Sequence, residues 1–215
     1  MSYSQKENAY HNLNRLICAG VGPYDIPKLA PVSMDAMPAF IRFNYAKRCK
    51  RPDAHGVHFF LDDYQFARLW NCPDGYLELL SRFRCVTTPD FSTYTDFPQA
   101  IQIYNHYRKH WLGAYWQAHG MTVIPTISWS DEASFEWCFD GEPVGGVVAV
   151  SSVGTQKNAT ARDLFTAGYL EMMRRLQPET VLFYGNVPPD CPGNIEHVEA
   201  FQEGMQKRIA GGNNQ

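Results

Sequence analysis

One stretch of the chain decides the fold class: residues 147–176 read VVAVSSVGTQKNATARDLFTAGYLEMMRRL. Residues 147–150 are apolar without alternation, which is typical of a strand that is buried on both faces. After a polar loop, residues 160–176 carry apolar side chains at helical spacing, and Arg174 and Arg175 stand near the negative end of the helix dipole. The stretch therefore predicts a strand, a loop and a helix, which is the repeating unit of an α/β fold.

The same alternation extends along the chain on both sides of this stretch. Short β-branched or aromatic runs predict six strands, at residues 39–43, 57–61, 84–88, 121–128, 147–152 and 180–184. Periodic apolar residues with flanking proline or glycine predict helices at residues 97–119, 160–176 and 194–209. Strands that alternate with helices form mainly parallel sheets. We therefore predict an α/β fold with about six mainly parallel strands and flanking helices, in an open sheet or a reduced TIM-barrel-like sheet.

The domain organisation predicted from the sequence is simple. A length of 215 residues suits one domain, so we expect a single α/β domain over residues 1–215. Four prolines between residues 23 and 38 predict an irregular N-terminal segment over residues 1–38, because each proline restricts its own backbone and that of its predecessor. The glycine- and asparagine-rich end predicts a flexible tail over residues 210–215.

Composition and charge exclude several classes of protein. With 45% apolar residues, 19% charged residues and a net charge of −3, the chain resembles neither a disordered protein nor a general nucleic-acid binder. Its first residues do not resemble an export signal, and no apolar run approaches the roughly 20 residues that span a bilayer. The six cysteines are scattered and form no Cys-x-x-Cys pair. We therefore expect a cytoplasmic protein with reduced thiols, no membrane contact and no structural zinc site.

Five consecutive predicted strands end in polar, acidic or glycine-containing loops, whereas the opposite strand ends carry plainer turns. These loops are residues 62–64, 88–92, 128–132, 151–155 and 185–186. Ligands of α/β proteins bind beyond the carboxyl ends of the strands. The asymmetry therefore predicts a binding site along one rim of the sheet.

Three aspartates on this rim are the candidate catalytic residues: Asp63, Asp90 and Asp131. Two carboxyl groups held close together can divide the roles of general acid and general base, because each raises the pKa of the other. The same oxygen atoms would suit Mg²⁺, the one cofactor that the sequence suggests. Structural roles compete with these, since Asp90 could accept turn hydrogen bonds and Asp131 could cap a helix. We assign no metal ligand beyond that option, and interpret His106 and His110 as a polar helix face.

The loop that follows the strand at residues 147–152 is a candidate anion site. Its exposed N–H groups and the positive end of the next helix dipole would suit a phosphate or a carboxylate. Trp129 could stack on a planar ring from the same rim. The candidate ligand-binding residues are Ser92, Trp129, Ser152, Gly154, Thr155, Asn158, Arg162 and Asn186. An ordinary strand–helix turn capped by Asn158 or Thr160 is the structural alternative.

Five motifs carry a resemblance to a known family: FLDDYQF at residues 60–66, TPDFSTY at 88–94, QIYNHYR at 102–108, VIPTISW at 123–129 and FDG at 139–141. The chain resembles DUF4417, an uncharacterised family of bacteria, phages and other mobile elements, over most of residues 23–186. The resemblance implies a mobile-element context and brings no established catalytic residues with it. A fainter similarity to barrel-fold base-exchanging transglycosylases implies a nucleophile at Asp90 or Asp131, although this chain lacks their zinc-binding cysteine cluster.

These patterns lead to two hypotheses of different classes. In the first, a mobile-element-associated protein binds a phosphorylated small molecule or nucleotide-like ligand at the carboxyl ends of its strands. As an enzyme, it would use an aspartate as general base or nucleophile in hydrolysis or in glycosyl or base transfer. In the second, a non-catalytic interaction factor docks on a phage, host or replication protein through the aromatic helix at residues 97–119 and through Arg174 and Arg175. Nucleic-acid binding through the basic residues 47–51 stays open, with a solvated turn as the alternative.

Overall fold

The computed structural model describes residues 5–15 and 18–198, and the predicted tail at residues 210–215 lies outside them. The strands are β1 (Gly20–Val21), β2 (Ile26–Pro27), β3 (Ala39–Arg42), β4 (His55–His58), β5 (Cys85–Thr87), β6 (Val123–Ile124), β7 (Val147–Ser151), β8 (Thr180–Tyr184) and β9 (Ile195–Val198). The helices are α1 (Gln5–Tyr10), α2 (Ala67–Asn71), α3 (Leu77–Leu80), α4 (Gln99–Ala118) and α5 (Ala159–Leu176). None of these described helices combines the length and the apolar character that crossing a bilayer requires.

Seven of the strands run parallel and follow one another in chain order. Strands β3 to β6 form one sheet and strands β7 to β9 another. A parallel bridge between Thr126 and Ala149 joins the two, and beside it Ile127 N donates to Ala149 O over 2.8 Å. Within the described residues β9 does not pair with β3, so the sheet is open. The predicted α/β fold with an open parallel sheet is confirmed, and closure into a barrel is not observed there.

Side chains alternate between the two faces of the sheet, as strand geometry requires. On one face, Val57 and Val86 pack in a core with side chains of α2, α3 and α4, and Phe183 packs with those of α5. The opposite face is buried as well. Burial on both sides explains why residues 147–150 are apolar at every position.

The opposite face of the sheet holds its own apolar cluster, which includes Ile124 and Leu182 and the thiol of Cys85, free like the other five cysteines. In this cluster the ring of Phe60, just after β4, stacks on Tyr184 of β8 with 4.8 Å between the ring centroids. Strands β5, β6 and β7 separate β4 from β8, so contact between these rings requires a strongly curved sheet. The curvature brings the carboxyl ends of distant strands around one hollow.

The proline-rich segment before β3 covers the amino ends of the strands. At the start of β7, Val147 N donates to Val32 O over 2.7 Å. Met34 and Met37 pack against the apolar cluster that includes Ile124 and Leu182, on the inner face of the curved sheet, which we call the curved face. Main chain and methionine side chains therefore fill the amino-end side of the hollow.

The predicted helix at residues 194–209 is wrong where the structure describes it. Strand β9 pairs in parallel with β8, and Val181 N donates to Asn194 O over 2.8 Å. The edge of β8 offers backbone hydrogen bonds that a local helical pattern does not reveal, so the tertiary environment decides the conformation. Residues 199–209 of that prediction lie outside the described part of the chain.

Candidate functional site

A cleft of about 680 Å³ opens at the carboxyl ends of the parallel strands. It is lined by residues that follow β4, β5, β6 and β7, and by the last residues of β3, β7 and β8. Most of these loops belong to the rim on which the sequence places a binding site. The curved sheet therefore gathers side chains from both of its parts around one cleft.

Asp63 and Asp90, two of the three predicted catalytic aspartates, both line this cleft. Asp63 begins a 3₁₀ turn after β4, and its Oδ1 accepts a hydrogen bond from Ser92 Oγ over 2.8 Å. The backbone N–H of Ser92 lies 3.2 Å from both oxygens of the same carboxylate. Asp63 therefore ties the loop after β4 to the loop after β5, which also carries Asp90.

Asp90 has no comparable support. Its carboxylate is partly buried and accepts no hydrogen bond from any residue that the structure describes. Burial raises the pKa of this carboxyl to about 7, the positive charge of Lys109 opposes the rise, and the negative charge of Asp63 adds to it. Near neutral pH Asp90 is thus present in both protonation states, which is the condition that general acid–base catalysis favours.

The third predicted catalytic residue, Asp131, is not brought to the cleft. Its Oδ1 accepts a hydrogen bond from Ser134 N over 3.1 Å, as the cap of the 3₁₀ helix Glu132–Glu136. It lines a second depression of about 250 Å³ instead. The expected convergence of three aspartates is therefore wrong for Asp131, because its carboxylate satisfies the free N–H groups of the helix that begins directly after it.

The predicted ligand-binding residues divide into two groups. Three of them line the cleft: Ser92, Trp129 and Thr155. Five of them do not line it: Ser152, Gly154, Asn158, Arg162 and Asn186. The loop after β7 therefore contributes less to the cleft than expected, through Ser151, Val153 and Thr155.

Local hydrogen bonds explain why parts of that loop turn away from the cleft. Ser152 Oγ donates to Asn186 O over 2.6 Å, which joins the ends of β7 and β8. Asn158 Oδ1 accepts from Ala161 N over 2.9 Å and caps α5. The structural alternative for Asn158, a helix cap, is the arrangement that the structure has.

Aromatic side chains form part of the cleft wall. Tyr184 and Phe60 stack with an interplanar angle of 16°, and both line the cleft. Trp129 presents a partly exposed ring and donates its Nε1–H to Leu164 O over 3.2 Å. Gly168 of α5 lies so close to this indole that a Cβ would stand 2.2 Å from Trp129 Nε1. Helix α5 therefore fixes the indole, through a glycine that looks like an ordinary helix position in the sequence.

The sequence analysis missed Arg42, the last residue of β3, which lines the cleft. Its register beside His58 of β4 places both side chains on the curved face of the sheet. Burial, and then the positive charge of Arg42, lower the pKa of His58 to about 3, so this imidazole is neutral. A signal was available, because Arg42 is the last residue but one of the strand predicted at residues 39–43 and so stands next to the predicted rim.

Helix α4 supports the aspartate loop from behind, a role that the sequence analysis also missed. Asn105 Nδ2 donates to Ser92 O over 2.6 Å, and Arg108 in turn donates to Asn105 Oδ1. The Arg108 guanidinium lies 4.0 Å from the ring centroid of Phe91. These contacts connect α4 through Ser92 to Asp63. The i, i+3 spacing of Asn105 and Arg108 on a predicted helix was the available signal.

The same helix buries three basic side chains in one cluster: His106, Lys109 and His110. Lys109 Nζ donates to Glu142 Oε1 over 2.8 Å and to Thr126 O over 2.7 Å. The interpretation of His106 and His110 as a polar helix face is wrong, since both are at most 1% exposed. Both rings are enclosed because main chain from before and after α4 covers them: Asp140 O accepts from His106, and Pro27 O accepts from His110.

The surfaces that the other hypotheses use have no part in the cleft. Trp111, Tyr115 and Trp116 of α4 are buried, whereas Tyr104 and Tyr107 are partly exposed. Arg174 and Arg175 both pair with Glu171, at 2.7 and 2.6 Å. The basic residues 47–51 are mostly exposed beside a 3₁₀ helix and do not line the cleft. Contacts with a partner through these surfaces stay predictions.

Known proteins are similar in sequence to this chain over most of its length. Residues 19–202 match the model of DUF4417, a domain of unknown function. Over 189 residues the chain is 38% identical to the gene 1 protein of Mycobacterium phage L5. The aligned region covers 86% of this chain and 82% of that protein. Over 210 residues it is 36% identical to the gene 1 protein of Mycobacterium phage D29. This alignment covers 96% of this chain and 77% of that protein.

The motifs of the family resemblance coincide with the site. FLDDYQF contains Asp63, TPDFSTY contains Asp90 and Ser92, and QIYNHYR contains Asn105 and Arg108. No solved structure matches the chain. The chain therefore belongs to the DUF4417 family of domains of unknown function, and over most of its length it is similar to the gene 1 proteins of two mycobacterial phages.

Proposed function

We propose that the cleft binds a phosphorylated, nucleotide-like ligand and that Asp90 exchanges a proton with it. The observation that carries the proposal is the position of Asp90, a carboxyl group with a pKa raised to about 7 that lines an open cleft beside aromatic rings. Carboxyl groups with such raised pKa values in clefts accept and release protons near neutral pH. The reaction class that fits is hydrolysis or glycosyl transfer.

The size and the lining of the cleft support this class of ligand. A volume of about 680 Å³ lies within the range of about 300–1,000 Å³ that small-molecule sites have. Trp129 offers a partly exposed aromatic ring to a planar ring of the ligand. Arg42 brings a positive charge for a phosphate group, and Ser151 and Thr155 add hydroxyl groups.

The two aspartates would have different roles. Asp63 is held by three contacts from Ser92, so it fixes the geometry of the loops. Asp90 would take the proton of an attacking water or ligand hydroxyl as a general base. Alternatively, it would attack the anomeric carbon of the sugar as a nucleophile, while the base or phosphate at that carbon leaves with the electron pair of the broken bond. Carboxylate oxygens are also the ligands that Mg²⁺ prefers, so the ion belongs in any binding test.

Thermal unfolding in the presence of ligands tests the binding. Wild-type protein is heated with the monophosphates and diphosphates of adenosine, guanosine, cytidine and uridine, each with and without Mg²⁺. We expect at least one of them to raise the melting temperature, because a ligand at 100 times its dissociation constant stabilises the folded state by about 2.7 kcal/mol. The unphosphorylated nucleosides are the control for the phosphate contact. If no nucleotide shifts the transition, the proposed ligand class is wrong.

A second experiment tests the role of Asp90. Asp90→Asn keeps the size of the side chain and removes the proton exchange, while Asp35→Asn changes an exposed aspartate in the segment that covers the amino ends. With a nucleotide that binds, we expect Asp90→Asn to retain binding and to lose product formation, as measured by chromatography. Asp35→Asn should behave as wild type. Equal turnover by Asp90→Asn and wild type would remove the catalytic part of the proposal.

A further inference from the structure

We propose that His106, His110 and Glu142 form a buried binding site for a divalent transition-metal ion, distinct from the cleft. The two histidines stand one turn apart on α4, and Glu142 lies in the loop that precedes β7. One potential ligand atom from each residue lies within 4.8 Å of the other two. All three residues are buried, with exposed fractions of 1%, 0% and 7% in the same order.

The hydrogen bond of His106 leaves one ring nitrogen free to bind a cation. Its Nε2 lies 3.0 Å from Asp140 O, and a carbonyl oxygen can only accept, so Nε2 carries the proton. The lone pair of the neutral ring is therefore on Nδ1. That atom is buried and has no hydrogen-bond partner among the described residues. Burial also lowers the pKa of His106 well below its ordinary value, so the ring is neutral and able to bind a metal.

His110 is oriented in the same way. Its Nδ1 lies 2.8 Å from Pro27 O and must donate to that carbonyl, so the Nε2 of a neutral ring would carry the lone pair. This Nε2 lies 2.9 Å from Glu142 Oε1. A nitrogen lone pair and a carboxylate oxygen repel each other at that distance unless a proton lies between them or a metal ion binds both. We assign a metal ion to this pair; its bonds of about 2.0–2.2 Å place it beside the line that joins the two atoms.

The surroundings of the three ligands resemble those of known metal sites. Histidines that bind metals almost always donate their other N–H to a carbonyl or carboxylate, as both do here. Glu142 Oε2 is buried and has no partner among the described residues, so it also offers a free ligand atom. Lys109 Nζ donates to Oε1 of the same carboxylate over 2.8 Å. Lys109 thus orients the carboxylate, and it is also the rival cation that could make a metal unnecessary.

The ligand set selects the class of metal. Two imidazole nitrogens and one carboxylate oxygen suit Zn²⁺ and its first-row neighbours, whereas Mg²⁺ and Ca²⁺ prefer oxygen ligands throughout. Three protein ligands leave at least one coordination position for a small molecule such as water. The ion would tie α4 to the loop before β7.

Metal titration of the full-length chain tests the site. The protein is treated with a chelator and titrated with Co²⁺, whose visible absorption reports the ligand set, and then with Zn²⁺ as competitor. We expect one ion per chain, displacement of Co²⁺ by Zn²⁺ and a higher melting temperature with Zn²⁺. His106→Gln and Glu142→Gln should each bind at least tenfold more weakly, since even losing an outer partner of a ligand costs 10- to 100-fold.

A matched control and the wild-type titration keep the test decisive. His119→Gln changes a histidine at the end of the same helix, outside the cluster, and should bind Co²⁺ as wild type does. If wild-type protein binds neither ion, or if His106→Gln binds as tightly as wild type, the proposal is overturned and Lys109 is the cation of a metal-free network. Asp90→Asn should leave Co²⁺ binding unchanged, so failure here is separable from failure of nucleotide binding.

Discussion

Asp90 is partly buried and Glu142 is buried, and their pKa values move in opposite directions. At Asp90 burial raises the pKa, only Lys109 opposes the rise, and Asp63 adds to it. At Glu142 burial acts in the same sense, but Lys109 and His110, which both lie within hydrogen-bond distance of its Oε1, outweigh burial, so the pKa is lowered. In this protein the neighbours of a carboxyl group decide whether it exchanges protons or remains a fixed charge.

We expect the largest loss of folding stability when the Glu142 carboxylate is removed. Glu142→Ala leaves Lys109 buried without its ion-pair partner, and breaking a buried pair in this way costs about 3–5 kcal/mol. Unfolding in urea measures the loss. Glu132→Ala, at an exposed position, should change the free energy of unfolding by less than about 0.5 kcal/mol. A loss at Glu142 no larger than that of Glu132→Ala would mean that Lys109 does not depend on Glu142.

A substitution at Gly168 disturbs the cleft wall without changing the buried cluster around Glu142. An added methyl group would stand 2.2 Å from Trp129 Nε1, so we expect Gly168→Ala to destabilise the protein by about 2 kcal/mol, as overpacking does. Thermal unfolding measures the change. In a Trp129→Ala background the clash is absent, and the same substitution should then be neutral or stabilising, because alanine favours a helix over glycine. An equal loss in both backgrounds would show that the indole is not the cause.

Asn105→Ala tests whether α4 holds the aspartate loop. The substitution removes the donor to Ser92 O and the acceptor of Arg108, and we expect a loss of about 1–2 kcal/mol from the unpaired groups. Hydrogen exchange of the Ser92 amide should become faster, since this N–H binds Asp63 only while the loop is in place. Asn71→Ala, at an exposed position at the end of α2, is the control. Unchanged exchange at Ser92 would contradict a supporting role.

The smallest effect depends on pH and follows from the sign of each shift. A pKa raised on folding means that the native state holds the proton more tightly, so Asp90 reduces stability as the pH rises from 3.8 to about 7. Asp90→Asn should therefore be more stable than wild type at pH 8 and equal to it at pH 3; the full shift would correspond to about 4 kcal/mol, and solvent screening of this partly buried carboxyl reduces the expected difference to about 1–2 kcal/mol. Unfolding curves at several pH values measure this difference. A variant that is less stable than wild type at pH 8 would contradict the raised pKa.

Glu142 should show the opposite dependence. Its pKa is lowered from 4.5, so the stability that it contributes is present above that value and is lost as the pH falls below it. Acid unfolding of wild type and Glu142→Gln compares the two. The gap between their stabilities should narrow as the pH falls below 4.5. A gap that stays constant would show that the carboxylate charge has no part in the cluster.

Local periodicity was enough to predict the parallel sheet and the edge at which the cleft lies. The apolar run at residues 147–150 is typical of a strand buried on both sides, and polar loops after successive strands indicated the edge where Asp63 and Asp90 both line the cleft. Asp131 shows where this reasoning stops. A carboxylate that precedes a helix can serve as a cap or face a ligand, and only the path of the chain after it decides which.

Residues that act through distant partners could not be predicted from local patterns. His106 and His110 have the spacing of an exposed helix face, and nothing near them in the chain indicates that Glu142 will meet them. Gly168 has no local signature either, because the indole that requires it lies 39 positions earlier, at Trp129. Such pairs are created by the tertiary fold, so a single sequence shows each member without the other.

The join between the two sheets has a mechanical consequence. The hydrogen-bonded ladder narrows there to the bridge at Thr126 and Ala149, where Pro125 contributes a carbonyl but has no N–H to donate. Asp63 and Asp90 stand on one side of that narrow seam, and Tyr184 stands on the other. A molecule that contacts both sides would link the two sheets across the join that has few hydrogen bonds. Binding in the cleft would therefore make the whole scaffold more rigid.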